Sequence, residues 1–553
     1  MQLSMKNNLS ATFLKVCNFQ KGIQTYSFKL KLFLIMKITL IFTLLIISNL
    51  HLCSAQNRTE QHRPHIHFSP DAHWMNDPNG MVYYKGEYHL FYQYYPDSSV
   101  WGPMHWGHAV SKDLVHWADL PIALYPDEKG YIFSGSAVVD ANNTSGFGKK
   151  GGESPIIAIF TYHDMAKEKA NATDVETQAI AYSLDKGRTW TKYANNPVIK
   201  NPNIRDFRDP KVFWHAASKR WVTVLAAKDR VHFYNSKNLK DWTFGGEFGA
   251  TEGAHTGVWE CPDLFPMKVI GQNKTKWVLI GNIGDGAPNG GSGTQYFVGD
   301  FDGKTFKNDN SADKTLWFEY GKDNYAGVTW SNNPDGRRLF MGWMSNWQYA
   351  QTVPTEVWRS ACTVARELGL QPTSEGLRLT QKPVREFEIL RGPLLSNFGV
   401  RKAWTVGGEI SESKVLDNQS VIKDIELSFD LSQTTATSIH LVLSNSKNEK
   451  VEIGYDVATK QFFIDRTEGG KTGFSKNFAM GRQYAPRLST NSTVKMRIIV
   501  DVSSVELFAD DGSVAMTAIY FPNEDFKNTS LFAKNGIAKD VKVAIWGLKS
   551  IWK

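Results

Sequence analysis

The sequence predicts an all-β protein, a β-propeller followed by a β-sandwich, and three observations carry that expectation. Short runs rich in Val, Ile, Tyr, Phe and Trp, bounded by Gly, Asn, Asp and Pro, recur after residue 60, where helix-period patterns are scarce. A degenerate repeat of a polar turn and a ring appears four times between residues 111 and 306. From residue 425 onward the runs alternate strictly between apolar and polar side chains. The 553 residues, 42% hydrophobic and 21% charged, exclude a disordered, collagenous or coiled-coil protein and suffice for one large and one smaller core.

Residues 1–55 read as a targeting segment. Met36-Lys37 precedes the apolar run Ile38 to Ile47, and the small-residue stretch Cys53-Ser54-Ala55 follows, the order of a secretory signal. The run is too short and too interrupted by threonine to span a bilayer comfortably, so no membrane association is expected after cleavage; an uncleaved anchor is the alternative. A start at Met36 would dispense with the stretch before it, which is odd for a signal. The segment holds six lysines and no acid; beyond it the formal charge of +8 falls to 57 basic against 55 acidic residues, or +2. That balance is no basis for a phosphate-binding surface, and nucleic acid is set aside.

Only Cys261 and Cys362 lie beyond the segment, which excludes a disulfide-stapled scaffold and allows one bridge at most. Without CxxC or HExxH spacing near them, no structural zinc is expected. Sequons at Asn57, Asn142, Asn143, Asn171, Asn273, Asn418, Asn491 and Asn528 fit a glycosylated secreted protein.

The propeller is expected over residues 62–393. Its strand candidates include Met81 to Tyr84, Tyr88 to Tyr92, Ile156 to Tyr162, Gln178 to Ser183, Trp221 to Ala227, Lys276 to Ile283 and Arg338 to Trp343. The repeat comprises Ser111 to Trp117, Ser183 to Trp190, Ser236 to Trp242 and Asp300 to Phe306, with rings 73, 52 and 64 residues apart. Such spacing suits one four-stranded blade per copy, the turn joining outer strands and its ring packing between blades. The sandwich is expected over residues 410–553. Ile425 to Leu431, Ser438 to Leu443 and Val494 to Val500 alternate as strands covered on one face do, and Asp510-Asp511-Gly512 signals a turn.

Three acid-bearing segments are expected where a strand runs into a loop: Trp74-Met-Asn-Asp77-Pro-Asn-Gly80, Phe207-Arg-Asp209-Pro210 and Trp259-Glu260-Cys-Pro-Asp263. Asp-Pro and Asn-Gly also form ordinary surface turns. In a propeller, however, the innermost strands aim one end at a shared central funnel, where acids distant in sequence meet. Burial of Glu260 among Trp259 and Pro262, beside other acids, is expected to raise its pKa, and Arg208 is expected to keep Asp209 ionised. Cys261 lacks a His or Asn partner pattern and reads as a packed thiol.

From about His65 onward the chain resembles glycoside hydrolase family 32, the invertase, inulinase and levanase family. The resemblance rests on the Asn-Asp-Pro-Asn-Gly motif at Asn76 to Gly80, Phe91-Tyr-Gln93, Trp106-Gly-His-Ala109, Phe133-Ser-Gly-Ser136, Arg208-Asp-Pro210, Glu260-Cys-Pro262, Gly342 to Trp347 and Ser503 to Phe508. It implies five blades, with Asp77 as nucleophile, Glu260 as general acid/base and Asp209 as transition-state stabiliser. It further implies hydrogen bonds to sugar hydroxyls from Asn76, Gln93, Ser134 and Arg208, and walls from Trp101, Phe133, Trp343 and Trp347. Trp106 and His108 read as packing residues. The implied activity is retaining hydrolysis of terminal β-fructofuranosides, sucrose, inulin or levan, with no metal or cofactor. Such chemistry needs two carboxyl groups about 5 to 5.5 Å apart. Fructosyl transfer on the same carboxylates and non-catalytic carbohydrate binding are the alternatives. The loop Gly284 to Gly293 shows no counterpart of the acidic and basic pair of plant-type invertases, and Asn346 to Tyr349 looks more like the microbial relatives.

Overall fold

The computed structural model describes residues 58–399, 405–407 and 414–552; the expected targeting segment 1–55 and the sequon at Asn57 lie outside them. Five antiparallel sheets of four main strands follow one another in chain order. Their first strands are His73–Tyr84, Tyr131–Val139, Phe207–His215, Trp259–Lys268 and Tyr325–Thr329. Each first strand touches the next, and the fifth touches the first, closing a ring. This is the arrangement of a β-propeller. The ring is fastened where Trp358–Arg359 pairs in parallel with His73 and Trp74 of the first sheet.

The repeat has a physical origin. In each copy one side-chain oxygen, of Asp113, Asp185, Asn238 or Asp302, accepts two backbone N–H groups of the following turn, an Asx turn built four times. The turn lets the outer strands meet, as in the pairs Ser111 with Trp117 and Ser236 with Trp242. The ring that ends each copy then packs against another sheet. Trp190 meets Phe91 at 5.5 Å, Phe306 meets Phe248 at 4.8 Å, and Trp117 stacks on Trp330 at 6.2 Å between centroids.

The alternating strands of the C-terminal part form a seven-stranded and a six-stranded sheet around one apolar core that includes Ile425, Leu441, Ile453 and Leu507. The strand Arg391–Phe398 already pairs with Ile537–Leu548, so this sheet draws on residues well before 410.

Between propeller and sandwich lies a buried ionic network. Both ring nitrogens of His67 meet carboxylates, Nδ1 at 2.7 Å from Asp501 and Nε2 at 2.8 Å from Glu506. Arg366 donates to Glu506 from the other side, and to Glu319 at 2.8 Å and Gln381 at 2.7 Å. Burial pulls the His67 imidazolium down, but the two carboxylates outweigh it and raise it to about 9. Burial opposes ionisation of Asp501 and Glu506 as well, yet His67, Arg366 and backbone N–H groups hold both below the usual range. Glu506 comes from the Ser503 to Phe508 motif, which thus carries a domain contact. A second knot joins Arg466 to Asp323, with Tyr349 donating to Asp323 at 2.6 Å.

Candidate active site

All three acid segments open the first strands of their sheets, so a loop runs into a strand there rather than the reverse. At the same level all five first strands carry a β-bulge: between Met75 and Pro78, at Ser134, at Asp209-Pro210, at Cys261-Pro262 and at Ala326-Gly327. A bulge leaves residues out of the ladder and re-aims their side chains. Pro210 and Pro262 fit because they fall at unpaired positions, where no N–H is needed. Asp209, Cys261 and Ala326 take φ of 63°, 40° and 53°, the left-handed region that such residues rarely adopt. Three of the first strands thus carry backbone strain at the level of the funnel.

The bulges turn side chains into one cavity of about 290 Å³, lined by Asn76, Asp77, Gln93, Trp101, Phe133, Ser134, Arg208, Asp209 and Glu260 among others. Asp77 is held at both oxygens: Asn76 Nδ2 donates to Oδ1 at 2.9 Å and Ser134 Oγ to Oδ2 at 2.8 Å. Asn76 is itself fixed by the Trp74 indole at 2.7 Å. Burial and the charge of Glu260 push Asp77 up from the ordinary carboxylate range, against those hydrogen bonds. Gln93 donates one amide N–H to the Ile132 carbonyl at 3.0 Å, leaving its second N–H and its carbonyl oxygen to offer a ligand.

Glu260 is clamped between two donors, Arg208 Nη2 at 3.1 Å on Oε1 and the Tyr325 hydroxyl on Oε2. It is not buried among Trp259 and Pro262 as expected, because neighbours along a strand face opposite sides. The Trp259 ring packs on Phe297 at 5.7 Å, and its N–H donates to the Ala254 carbonyl. Nor does Arg208 serve mainly Asp209. Its guanidinium turns to Glu260, Asp206 and Glu176, while its Nε stays 4.0 Å from Asp209. Burial pushes Asp209 up to about 8; Arg208 opposes this, and the charges of Glu260 and Asp77 add to it. Cys261 donates its backbone N–H to Asp209 at 2.9 Å, and its thiol lies 3.4 Å from Asp77. Burial and three adjacent acids raise that thiol well above its ordinary value, so it remains a protonated donor. Cys362 is likewise a buried free thiol.

Trp343 departs from expectation. It is fully buried, wedged against Trp74 at 6.1 Å, Trp347 at 4.8 Å and Tyr325 at 6.4 Å, and does not reach the cavity. It lies in the strand Arg338–Trp343, one strand out from the funnel, and Trp347 in the following loop supplies the wall. Trp101 and Phe133 stand together on the wall, 6.1 Å apart. Trp106 is buried between sheets and His108 packs on Phe91 at 4.0 Å. Sequence reasoning missed His163, Glu168, Glu176, Arg205, Asp206, Gln351 and Tyr325. Tyr325 had a signal: it opens the fifth first strand at the level where Asp77, Asp209 and Glu260 open theirs. Among the described residues no cluster of three or more His, Cys, Asp or Glu is arranged to hold a metal ion.

Carboxyl groups from separate blades around a ring-walled polar funnel are the equipment of a glycoside hydrolase. The chain belongs to glycosyl hydrolases family 32: the family's N-terminal domain matches residues 67–383 and its C-terminal domain residues 395–547. It is 50% identical over 525 residues to a levanase of Bacillus subtilis, covering 94% of this chain and 75% of that one. It is 39% identical over 529 residues to an extracellular exo-inulinase of Aspergillus niger, covering 90% and 96%. Among solved structures, an exo-inulinase of Aspergillus awamori superposes with a TM-score of 0.82 at 37% identity, covering 90% and 100%. A β-fructofuranosidase of Schwanniomyces occidentalis complexed with fructosyl-erythritol gives 0.78 at 34%, covering 90% and 99%.

Proposed function

We propose that the protein is a secreted, retaining β-fructofuranosidase that removes terminal fructose from sucrose or from inulin- or levan-type fructans. The observation that carries this reading is the pair of clamped carboxyl groups, Asp77 between Asn76 and Ser134 and Glu260 between Arg208 and Tyr325, on different blades of one funnel. In the first step Asp77 attacks the anomeric carbon while Glu260 gives its proton to the departing oxygen. In the second, Glu260 takes a proton from water, which displaces Asp77. Asp209, fixed by the Cys261 N–H, faces the sugar hydroxyls beside the developing positive charge. Asn76, Gln93, Ser134 and Arg208 orient the ring, and Trp101, Phe133 and Trp347 shield it from water.

The reading includes a division into a propeller and a sandwich that begins with the strand Arg391–Phe398, earlier than the expected 410; the spans matched by the two family domains support it. Secretion accords with the extracellular inulinase relatives, and the sequons within the described residues all sit at exposed asparagines. Incubating residues 56–553 separately with sucrose, inulin and levan tests the function. Free fructose is expected, and the ranking of rates identifies the preferred substrate. Folded protein that releases no sugar from any of them would overturn the reading.

A further inference from the structure

The cavity wall contains a file of polar groups that leads to Glu260 from residues the reaction above leaves unused, His163, Glu168 and Glu176. His163 closes the strand Ile156–His163, with its ring stacked on Phe133 at 4.2 Å and 13°. Both of its nitrogens face carboxylates: Nδ1 lies 3.0 Å from Glu176 and Nε2 lies 3.0 Å from Glu168. A ring N–H at Nδ1 makes His163 a donor to Glu176. Glu168 stands on the short helix Met165–Lys169, with Arg205 at 3.8 Å. Glu176 is buried, and it also accepts the Phe207 backbone N–H at 2.6 Å and Arg208 Nη1 at 3.3 Å. Arg208 continues the file, with Nη1 on Asp206 at 2.9 Å and Nη2 on Glu260 at 3.1 Å.

We propose that His163 is a positioning residue for Glu260, acting through Glu176 and Arg208; the proposal rests on the reading of Glu260 as acid/base. A guanidinium is a rigid planar fork, so what holds one edge sets the direction of the other. With His163 in place, Glu176 is shared between the imidazole N–H and the guanidinium, and Arg208 keeps its outer edge on Glu260. Without that N–H, Arg208 is the one side-chain donor left to Glu176 and is drawn away from Glu260. The proton that must reach the leaving oxygen then starts from a misdirected carboxyl. Displacements on this scale cost up to about a hundredfold in rate.

The discriminating readout is leaving-group dependence, because a group acting through the acid matters where departure is hard. His163→Phe keeps the ring stack and removes the N–H, and Glu176→Gln removes the shared charge. For each, kcat on sucrose is expected to fall about tenfold. On an aryl β-fructofuranoside with a good leaving group the loss should stay within about twofold, and KM should barely move on either. A second His163→Phe on Glu260→Gln should add little, since residues acting as a unit are not additive. Equal losses on both substrates, or a rise in KM alone, would make His163 a sugar contact or a structural residue and overturn the proposal. Glu260→Gln separates the two levels: if it shows no leaving-group split, the acid/base reading fails, and if it splits while both upstream variants do not, the relay fails. Should His163→Phe not fold, Glu176→Gln and His163→Asn carry the same test.

Discussion

The funnel and the propeller–sandwich junction each bury a group of carboxyls, and the two groups are driven in opposite directions. At the junction, Asp501 and Glu506 are answered by His67 and Arg366 and sit below the ordinary range. In the funnel, burial pushes both Asp77 and Asp209 up and the charge of Glu260 adds to it, with Arg208 opposing it at Asp209. Neutralised charge holds two domains together, whereas charge left uncompensated is available to react. The same two residue types thus serve cohesion in one place and chemistry in the other, and the number of cations alongside decides which.

The comparison breaks most sharply at Asp77. Asp77→Asn should lower kcat by roughly 10⁴- to 10⁶-fold, as loss of a nucleophile does. Its melting temperature should match the parent's, because no buried ion pair is broken; near-normal turnover would remove Asp77 from the role. Glu260→Gln should cost about 10²- to 10⁴-fold on sucrose and much less on an activated fructoside. Steady-state kinetics on the two substrates read the difference, and equal losses count against general-acid catalysis.

At the junction the expectation reverses. Arg366→Met leaves Glu506 and Glu319 buried with fewer partners, which should destabilise by about 3 to 5 kcal/mol. Calorimetry reads the drop, while kcat per folded molecule should hold; an unchanged melting temperature would show that the network does not bind the domains together.

The smallest effect concerns pH. The folded pKa of His67 is raised to about 9, so its stabilising contribution is complete below about 6.5 and is lost as pH rises through 9. Asp501 and Glu506 are depressed, so theirs is present above about 4 and lost as pH falls further. Asp209 is raised to about 8, so folding grows less favourable between about pH 4 and 8. Asp209→Asn should therefore abolish activity yet raise stability at pH 8 by roughly 1 kcal/mol, and flatten the decline below pH 8 while leaving the loss toward pH 9. Melting curves across this range decide the matter, and a variant less stable than its parent at pH 8 would contradict the assignment of uncompensated charge to Asp209.

Much of this was legible in the sequence, and what was not has a physical reason. The Asx-turn repeat announced the blades because one Asp or Asn and one ring suffice to close each outer hairpin. Asp77, Asp209 and Glu260 were legible because the bulges that aim them demand neighbours such as Pro210 and Pro262. The bulges themselves were hidden, since an unpaired residue leaves no mark in strand periodicity. Trp343 was misplaced for a related reason: a run of rings does not say which one is a strand further from the funnel. Glu176 and His163 carry no local signature, because their partners come from elements that meet only in the folded ring. The expected service of Arg208 to Asp209 rested on adjacency, and a strand turns adjacent side chains apart.

The junction also dictates when the molecule can be finished. The backbone N–H of Ile551 donates to His65 and the Trp552 indole to Pro64, groups 488 residues apart in the latter case, while the Arg58 guanidinium lies 3.6 Å over the Trp552 ring. During synthesis the first of these partners leaves the ribosome long before the second exists. His67 must wait similarly for Asp501 and Glu506. A nascent chain can therefore assemble its sheets in order but cannot lock them until Ile551 and Trp552 have emerged, and truncations that remove these two residues should remain open to protease where residues 56–553 resist.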